Sequence, residues 1–353
     1  MPSSPLLDSD LPLVAAPMAG GPSTPALAAA VGDAGGFAFW PAGYLSAEAF
    51  AADLGAAHAG AGSGTGAGPG AGGRSFGVNL FVPQDGAIEP AAFRAYADAL
   101  RGEAEALGVD LPAVPRHDDD AWRDKVDLLL ADPAAVVSLT FGLPGRADIA
   151  ALRRAGSRVL ATVTTADEAR AAEEAGVDGF VVQGPRAGGH SGTFDPRRPI
   201  GDGPTADVVR AVRAVSGLPV VAGGGVDGPD AVRALLAAGA EAVAVGTLLL
   251  RATEAGTSAT HRGALADPAY TRTTVTHCFT GRPARALANG FAARHHAEAP
   301  YGYPELHHLT RDLRRAAARA GDPERLHLWA GTGYRAAREA AAATIVSELA
   351  AGL

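Results

Sequence analysis

The chain has 353 residues, of which 47% are hydrophobic and 19% charged, so it can bury a sizeable core and its composition argues against global disorder. Its net charge is −8 and no cluster of Lys and Arg stands out, which argues against nucleic acid or an anionic membrane as a partner. The one cysteine, Cys278, excludes an intrachain disulfide framework and fits a reducing cytoplasm.

The N-terminal stretch has no basic segment and no long apolar core, so we do not expect it to be a signal peptide. After it come eight short β-type runs. In chain order they are Leu13–Ala16, Phe37–Phe39, Phe76–Leu80, Val136–Thr140, Val159–Val163, Phe180–Val182, Pro219–Ala222 and Ala242–Val245. Most of these runs are continuously apolar rather than alternating, which is typical of strands that are buried on both faces of a parallel sheet.

Helical stretches separate these runs. They are predicted at 24–34, from Ser46 onward, at 90–107, and over "RADIAALRRAG", "TADEARAAEEAG" and "GPDAVRALLAAGA". The second quoted stretch should begin at Thr165 or Ala166 and end at Gly176. Eight strand–helix units over about 250 residues predict an α/β fold of the (β/α)8 TIM-barrel type rather than an open doubly wound sheet.

Two segments depart from the barrel pattern. Ala59–Arg74 is almost all Gly and Ala, and we predict a flexible loop there, because no strand precedes its glycines and no helix or acidic residue follows in the dinucleotide-binding pattern. Residues 250–329 are rich in His, Arg, Pro and Tyr, and predict an inserted, mostly helical lid subdomain after strand eight. The barrel then comprises residues 1–249 and 330–353, closed by a last helix over 334–352.

Glycines follow the last two predicted strands, as Gly223–Gly225 and as Gly246 before Thr247. Loops at these two places in TIM barrels often bind phosphate through backbone N–H groups, which a Cβ would obstruct. The pattern therefore favours a phosphate-bearing cofactor with an apolar ring, for which flavin mononucleotide (FMN) is the natural candidate. The alternative is that these glycines only form tight turns.

His190 is the one side chain that can titrate near neutral pH within the glycine-rich stretch "GPRAGGHSGTF" that follows strand six. An imidazole can accept a proton near neutral pH, although a loop histidine can also merely cap backbone groups. The pairs His295–His296 and His307–His308 lack the spacing of metal ligands, so no metal site is predicted. Trp329 is expected either in the core or in the wall of the cofactor site.

The motifs "PLVAAPMAGG", "GVNLFVP", "VVQGPRAGGHSGTF", "PVVAGGGV", "FTGRPARALANGF" and "LWAGTG" resemble those of the nitronate monooxygenases, formerly called 2-nitropropane dioxygenases. The resemblance runs in order along nearly the whole chain. It implies FMN held without covalent linkage, reaction with O2, and His190 as the catalytic base or a substrate-positioning group. The expected cofactor-binding residues are Ala16, Pro17, Met18, Asn79, Thr162, Gln183, Gly188, Gly189, Ala222, Gly223, Gly224, Gly225, Gly246, Thr247, Trp329, Gly331 and Thr332.

Three positions depart from the family pattern. The family often has Gln at the position of Ala15 and Glu at that of Arg186, and commonly has Gln at that of Thr332. Because these sites line or flank the flavin pocket in the family, the physiological substrate stays open.

The expected reaction is FMN-dependent oxidation of a nitronate or nitroalkane by O2 to a carbonyl compound and nitrite. One alternative is an NAD(P)H-dependent FMN reductase of the same barrel type, acting on an enoyl thioester or a quinone. From other classes, a flavin-free sugar-phosphate isomerase and a non-catalytic FMN-binding protein remain open. The expected partners are a small-molecule substrate and O2, with a homodimer left open, and the expected location is the cytoplasm.

Overall fold

The structure is a computed structural model that describes residues 6–61, 76–84 and 86–353. In these residues the strands are β1 (Leu13–Ala15), β2 (Phe37–Pro41), β3 (Gly77–Phe81), β4 (Val136–Thr140), β5 (Arg158–Val163), β6 (Gly179–Gln183), β7 (Gly189–His190), β8 (Val220–Gly223), β9 (Ala242–Val245), β10 (Thr273–Thr276) and β11 (Ala284–Leu287). Eight of them, β1 to β6 with β8 and β9, close into a parallel barrel in that order. The predicted TIM barrel is confirmed, with a strand at each of the eight predicted places.

Helices surround this barrel. In the described residues they are α1 (Pro25–Asp33), α2 (Ala47–Ala61), α3 (Pro90–Ala99), α4 (Arg101–Leu107), α5 (Trp122–Ala131), α6 (Arg146–Ala155), α7 (Ala166–Ala175), α8 (Thr205–Arg213), α9 (Pro229–Ala237), α10 (Ala259–Ala266), α11 (Gly290–His295), α12 (Glu305–Ala320) and α13 (Ala342–Leu349). The predicted start and end of α7 are confirmed: Thr165 caps it by accepting a hydrogen bond from the Glu168 N–H, and Gly176 ends it in the left-handed conformation.

The barrel closes where β1 pairs with β9, with Val14 opposite Ala244 on one side and opposite Phe37 of β2 on the other. All five residues of β2 and of β3 are buried, as expected for strands covered on both faces. The main core lies between these strands and the surrounding helices. It holds the carboxyl ends of the strands at one rim, where the loops that carry the site begin.

Several helices differ from the sequence-based expectation. The stretch predicted as one helix at 90–107 is divided at Leu100 into α3 and α4. The predicted last helix over 334–352 is divided: residues 334–336 form a short 3-10 turn, Ala340 forms a parallel bridge with Ala252, and only residues 342–349 are α-helical. Helices α5 and α8 were not predicted. The predicted loop Ala59–Arg74 overlaps the end of α2, and the rest of it lies outside the described residues.

The stretch 250–329 contains α10, α11 and α12, and also an antiparallel hairpin of β10 and β11 that was not predicted. Strand β11 pairs in turn with β7, placing His190 opposite Ala284. The hairpin therefore fastens the glycine-rich stretch after β6 to this part of the chain. The division of the chain at 250 and 330, and a lid function for the segment, stay predictions.

Helix α4 is tied to α11 through the carboxylate of Glu103, which is buried. It accepts hydrogen bonds from Arg294 Nε at 2.7 Å, His295 Nε2 at 2.9 Å and Arg325 Nε at 2.7 Å. Burial raises the pKa of this carboxyl, but the three donors outweigh burial and lower the pKa to about 2. The charged carboxylate therefore contributes stability above its unfolded pKa, and this contribution is lost as the pH falls through about 2.

We expect Glu103→Gln to lower the free energy of unfolding by about 1–3 kcal/mol near neutral pH, because the amide cannot accept all three hydrogen bonds. Urea unfolding at pH 7 and at pH 3 measures the loss, which should be smaller at the lower pH. Glu105→Gln, at an exposed position of the same helix, is the control and should change stability little. An equal loss for Glu103→Gln at both pH values would contradict this account.

Candidate functional site

A cavity of about 790 Å³ opens at the carboxyl ends of the barrel strands, where it is bordered by α12 and by the loop before α5. Most of the predicted site residues line it: Ala16, Pro17, Met18, Asn79, Thr162, Gln183, Gly188, Gly189, His190, Gly223, Gly224, Gly225, Gly246, Thr247, Trp329 and Gly331. Two do not, since Ala222 is fully buried within β8 and Thr332 is exposed outside the cavity. The structure thus brings most of the predicted site residues together around one cavity, and their role stays a prediction.

The three departures from the family pattern all lie outside the cavity lining. Ala15 is buried in β1, and Arg186 is an exposed residue whose Nε donates to the Asp202 carbonyl at 3.0 Å. The Thr332 N–H donates to the Arg186 carbonyl at 3.1 Å. Arg186 and Thr332 therefore shape the loops behind the cavity rather than its surface.

The glycines after β8 and β9 form a bare wall of the cavity. Gly224 and Gly225 have φ values of +127° and +75°, which side-chain-bearing residues rarely adopt, and a Cβ on Gly224 would lie 3.0 Å from the Ala187 nitrogen. The N–H groups of Gly224, Gly225 and Gly246 donate to no acceptor in the described part of the chain. Such unengaged donors on close-fitting backbone are suited to phosphate oxygens.

A row of polar side chains crosses the carboxyl ends of β3, β4 and β5. Asn79 Nδ2 donates to Thr140 Oγ1 at 2.9 Å, and that hydroxyl lies 3.0 Å from Thr162 Oγ1. The hydroxyl of Ser138 also accepts from Asn79 Nδ2 at 2.9 Å. These bonds fix the orientation of the amide at the cavity floor, so its oxygen is available as an acceptor.

Gln183, the last residue of β6, clamps the glycine-rich stretch that follows it. Its Nε2 donates to the His190 carbonyl at 2.9 Å, and its Oε1 accepts from the Gly192 N–H at 2.7 Å. The stretch can approach β5 this closely because Gly192 has no side chain. A Cβ at this position would lie only 2.5 Å from the Thr162 side chain. Together with the pairing of β7 and β11, the clamp fixes the backbone that carries His190.

The His190 ring is enclosed by aromatic side chains at the cavity wall. Its centroid lies 5.3 Å from that of Trp329, 5.7 Å from Phe141 and 5.9 Å from Tyr303. Its Nε2 lies 2.8 Å from Thr280 Oγ1. Burial, and after it the nearby cations of Arg282 and Arg314, lower the pKa of the imidazole to about 3, so the ring is neutral at physiological pH.

Two buried guanidinium groups stand near this ring, and sequence reasoning assigned them no role. Arg282 is fully buried, donates to Gln84 Oε1 at 2.6 Å and lies 4.1 Å above the Phe141 ring. Arg314 lines the cavity and donates from Nε to Thr310 Oγ1 at 3.0 Å. Burial lowers the pKa of each to about 10, so both stay charged near pH 7.

Neither guanidinium forms a salt bridge with a carboxylate in the described ranges. The interior around His190 is therefore positive, and an anion bound in the cavity would offset this charge. The motif "FTGRPAR" contains Arg282, so its sequence gave one signal for this group. Arg314 lies within the helical pattern of α12, where nothing distinguishes it from a surface arginine.

Backbone strain is concentrated at the cavity. Among the described residues, the non-glycine residues with positive φ are Tyr44 at 69°, Asp120 at 57°, Ala121 at 52° and Phe141 at 84°. All four line the cavity. Such conformations cost on the order of 1–3 kcal/mol each and persist where the surroundings enforce them, which often occurs at functional sites. The concentration is independent support for a functional site here.

Comparison with known proteins identifies the family. The nitronate monooxygenase family profile matches residues 5–352. This chain belongs to the nitronate monooxygenase family. It is 37% identical to a nitronate monooxygenase of Pseudomonas aeruginosa, over 98% of this chain and 97% of the relative. Family membership makes it an enzyme, an oxidoreductase of the monooxygenase class, as the sequence predicted.

Solved structures show the same likeness. A nitroalkane oxidase from Streptomyces ansochromogenes shares 44% identity with a TM-score of 0.88, covering 97% of this chain and 95% of its own. FabK of Thermotoga maritima shares 23% identity with a TM-score of 0.71, covering 98% of this chain and 93% of its own. This similarity shows only that the two proteins have the same fold. In the described ranges, no helix is long and apolar enough to cross a membrane.

Proposed function

We propose that this enzyme uses FMN and O2 to oxidise a nitronate, or the nitroalkane from which it derives, to a carbonyl compound and nitrite. One observation carries the proposal: the His190 ring and the bare glycine wall face the same cavity at the carboxyl rim of the barrel. The cavity size suits a cofactor together with a small substrate. The relatives named above support the reaction class.

The residues of the glycine wall fit the FMN phosphate. The unengaged N–H groups of Gly224, Gly225 and Gly246 would hold its oxygens, and the hydroxyl of Thr247, which accepts from the Gly331 N–H at 2.9 Å, stands beside them. Residues 16–18 and Asn79 would border the flavin ring. When bound, the flavin supplies the electron transfer and the chemistry with O2.

The side chains of the chain would bind and orient the substrate. His190, neutral at physiological pH, would accept the α-proton of a nitroalkane or position a nitronate that is already formed. The charges of Arg282 and Arg314 favour an anion in the cavity, and so lower the cost of forming a nitronate there. The rings of Phe141, Tyr303 and Trp329 exclude water from one side of His190.

The proposal predicts that the purified protein is yellow and contains FMN, releases nitrite and consumes O2 when given a small nitronate such as ethyl nitronate. The addition of NADPH should not be needed. A colourless protein, or turnover that depends on NADPH, would contradict the proposal and favour the flavin-free isomerase or the reductase respectively. Nitrite release and O2 uptake on one sample measure the stoichiometry.

The cellular setting follows from the same proposal. Cys278 is buried, and burial raises the pKa of its thiol to about 12, so it is an inert structural residue that accords with a reducing compartment. The cytoplasm as the location of the reaction remains part of the proposal. A homodimer stays a prediction.

A further inference from the structure

We propose that the hydroxyl of Thr280 holds His190 as the tautomer protonated at Nε2, so that Nδ1 is the ring nitrogen offered to the substrate. Thr280 is thus a positioning residue, because it acts through His190. The use of Nδ1 as a proton acceptor rests on the proposed function, whereas the tautomer itself does not.

The side chains of His190 and Thr280 are in direct contact. His190 Nε2 and Thr280 Oγ1 are 2.8 Å apart, and Thr280 is 1% exposed, so water does not compete for this bond. In the described part of the chain, His190 Nδ1 forms no hydrogen bond, although His190 lines the cavity. Of the two ring nitrogens, Nε2 is engaged by the protein and Nδ1 is left for a ligand.

The single proton of the Thr280 hydroxyl determines which ring nitrogen of His190 is protonated. Thr280 Oγ1 also lies 3.3 Å from the carbonyl oxygen of Arg282, to which it donates. That carbonyl belongs to a residue with 0% exposure, and it receives no other donor from the described residues. A buried carbonyl without a donor is costly, so the threonine proton belongs to this bond. The hydroxyl can then only accept from His190, which makes Nε2 the protonated nitrogen.

During turnover the substrate proton would move to the free nitrogen of His190. The C–H bond of the nitroalkane breaks, the new N–H bond forms at Nδ1, and the electron pair of the C–H bond stays on the substrate as the nitronate. The imidazolium keeps its Nε2–H bond to Thr280. No carboxylate contacts the ring from behind in the described ranges, and the nearby charges are the cations of Arg282 and Arg314. The nitronate formed beside the imidazolium is therefore the anion that balances it.

Hydrogen bonds between the segment 280–283 and the segment 190–193 hold Thr280 against His190. Thr280 precedes Arg282, whose guanidinium donates to the carbonyls of Thr193 and Ser191, on the chain just after His190. The Ser191 N–H donates to the Pro283 carbonyl at 2.8 Å. The 280–283 turn and the 190–193 segment are thus bound to each other, which holds the hydroxyl and the imidazole in register.

The tautomer can be read directly by NMR. The protein is labelled with ¹⁵N-histidine and measured as purified. The two-bond couplings between the ring nitrogens and the ring carbon-bound protons of His190 should show the pattern of an imidazole protonated at Nε2. The signals of His190 are assigned by their loss in His190→Asn. Thr280→Ser should keep this pattern, and Thr280→Val should lose it. Thr276→Val removes a buried hydroxyl from the same segment, outside the cavity, and should leave the His190 signals unchanged. An Nδ1–H pattern in the wild type, or an unchanged pattern in Thr280→Val, would overturn the proposal.

Kinetics supply a second readout. We expect Thr280→Val to lower kcat/KM for a nitroalkane by about 10- to 100-fold, because the base is no longer oriented. Turnover of the preformed nitronate, which needs no proton removal, should fall less, and Thr280→Ser should restore both. Equal losses for the two substrates would overturn the positioning role. A wild type that turns over neither would refute the proposed function, while the NMR pattern would still decide the tautomer.

Discussion

Replacing His190 with asparagine is expected to lower kcat/KM for a nitroalkane by about 10²–10⁴-fold while FMN stays bound. The amide can keep a hydrogen bond to Thr280, whose hydroxyl lies 2.8 Å from the imidazole, but it cannot accept a proton. The backbone of the segment is held independently, by Gln183 and by the pairing of β7 with β11. The loss should therefore appear in turnover and not in folding.

The control is His296→Asn. His296 is an exposed histidine near the same hairpin, and it does not line the cavity. The His296→Asn variant should retain wild-type flavin content and wild-type turnover. If His190→Asn kept both its flavin and full nitroalkane turnover, His190 would not be the base. Turnover of the preformed nitronate by the same variant separates the two roles: a base is dispensable for that substrate, whereas a positioning group is not.

Gly188→Ala is expected to remove most of the bound FMN and most of the activity. A Cβ on Gly188 would lie 2.4 Å from the Gly331 nitrogen and 2.6 Å from the Ala330 carbonyl carbon, both of which are backbone atoms. The clash cannot be relieved by a side-chain rotation, so one of the two segments must move. The strain should cost on the order of 1–3 kcal/mol or more. The next residues, Gly189 and His190, would be drawn away from β11.

The flavin content per chain, measured after gel filtration, and the melting temperature test this expectation. Gly145→Ala is the matched control, because Gly145 has a φ of −55° and a Cβ there would meet nothing within 4 Å. It should bind FMN like the wild type. Normal flavin content in Gly188→Ala would show that the contact between this loop and residues 330–331 does not shape the cofactor site.

The barrel was predictable because its signals are local. Each buried strand is a continuous apolar run, and each following helix has its own start and end, as Thr165 and Gly176 show for α7. The site was predictable in part for the same reason: in a TIM barrel, the residue that follows a strand faces the rim. Gly224, Gly246 and His190 were predicted in this way, and all three line the cavity.

Other features depend on contacts between distant parts of the chain. The run of β-branched residues in β10 could have indicated a strand. Its sequence does not show that β11 would pair with Gly189 and His190. The role of Arg314 depends on which carboxylates fail to reach it after folding. The stacking of Tyr44 on His307, with centroids 4.1 Å apart, joins the β2–α2 loop to α12 across the cavity. No local periodicity encodes these contacts.

Anaerobic mixing of the flavin-loaded protein with a nitronate, and separately with NADPH, tests the central claim most directly. The absorbance near about 450 nm reports oxidised flavin, which is a property of the cofactor itself. We predict that the nitronate bleaches this band rapidly, that NADPH leaves it unchanged, and that admitting O2 to the nitronate-treated sample restores it. Rapid bleaching by NADPH together with no response to the nitronate would contradict the account and show a reductase.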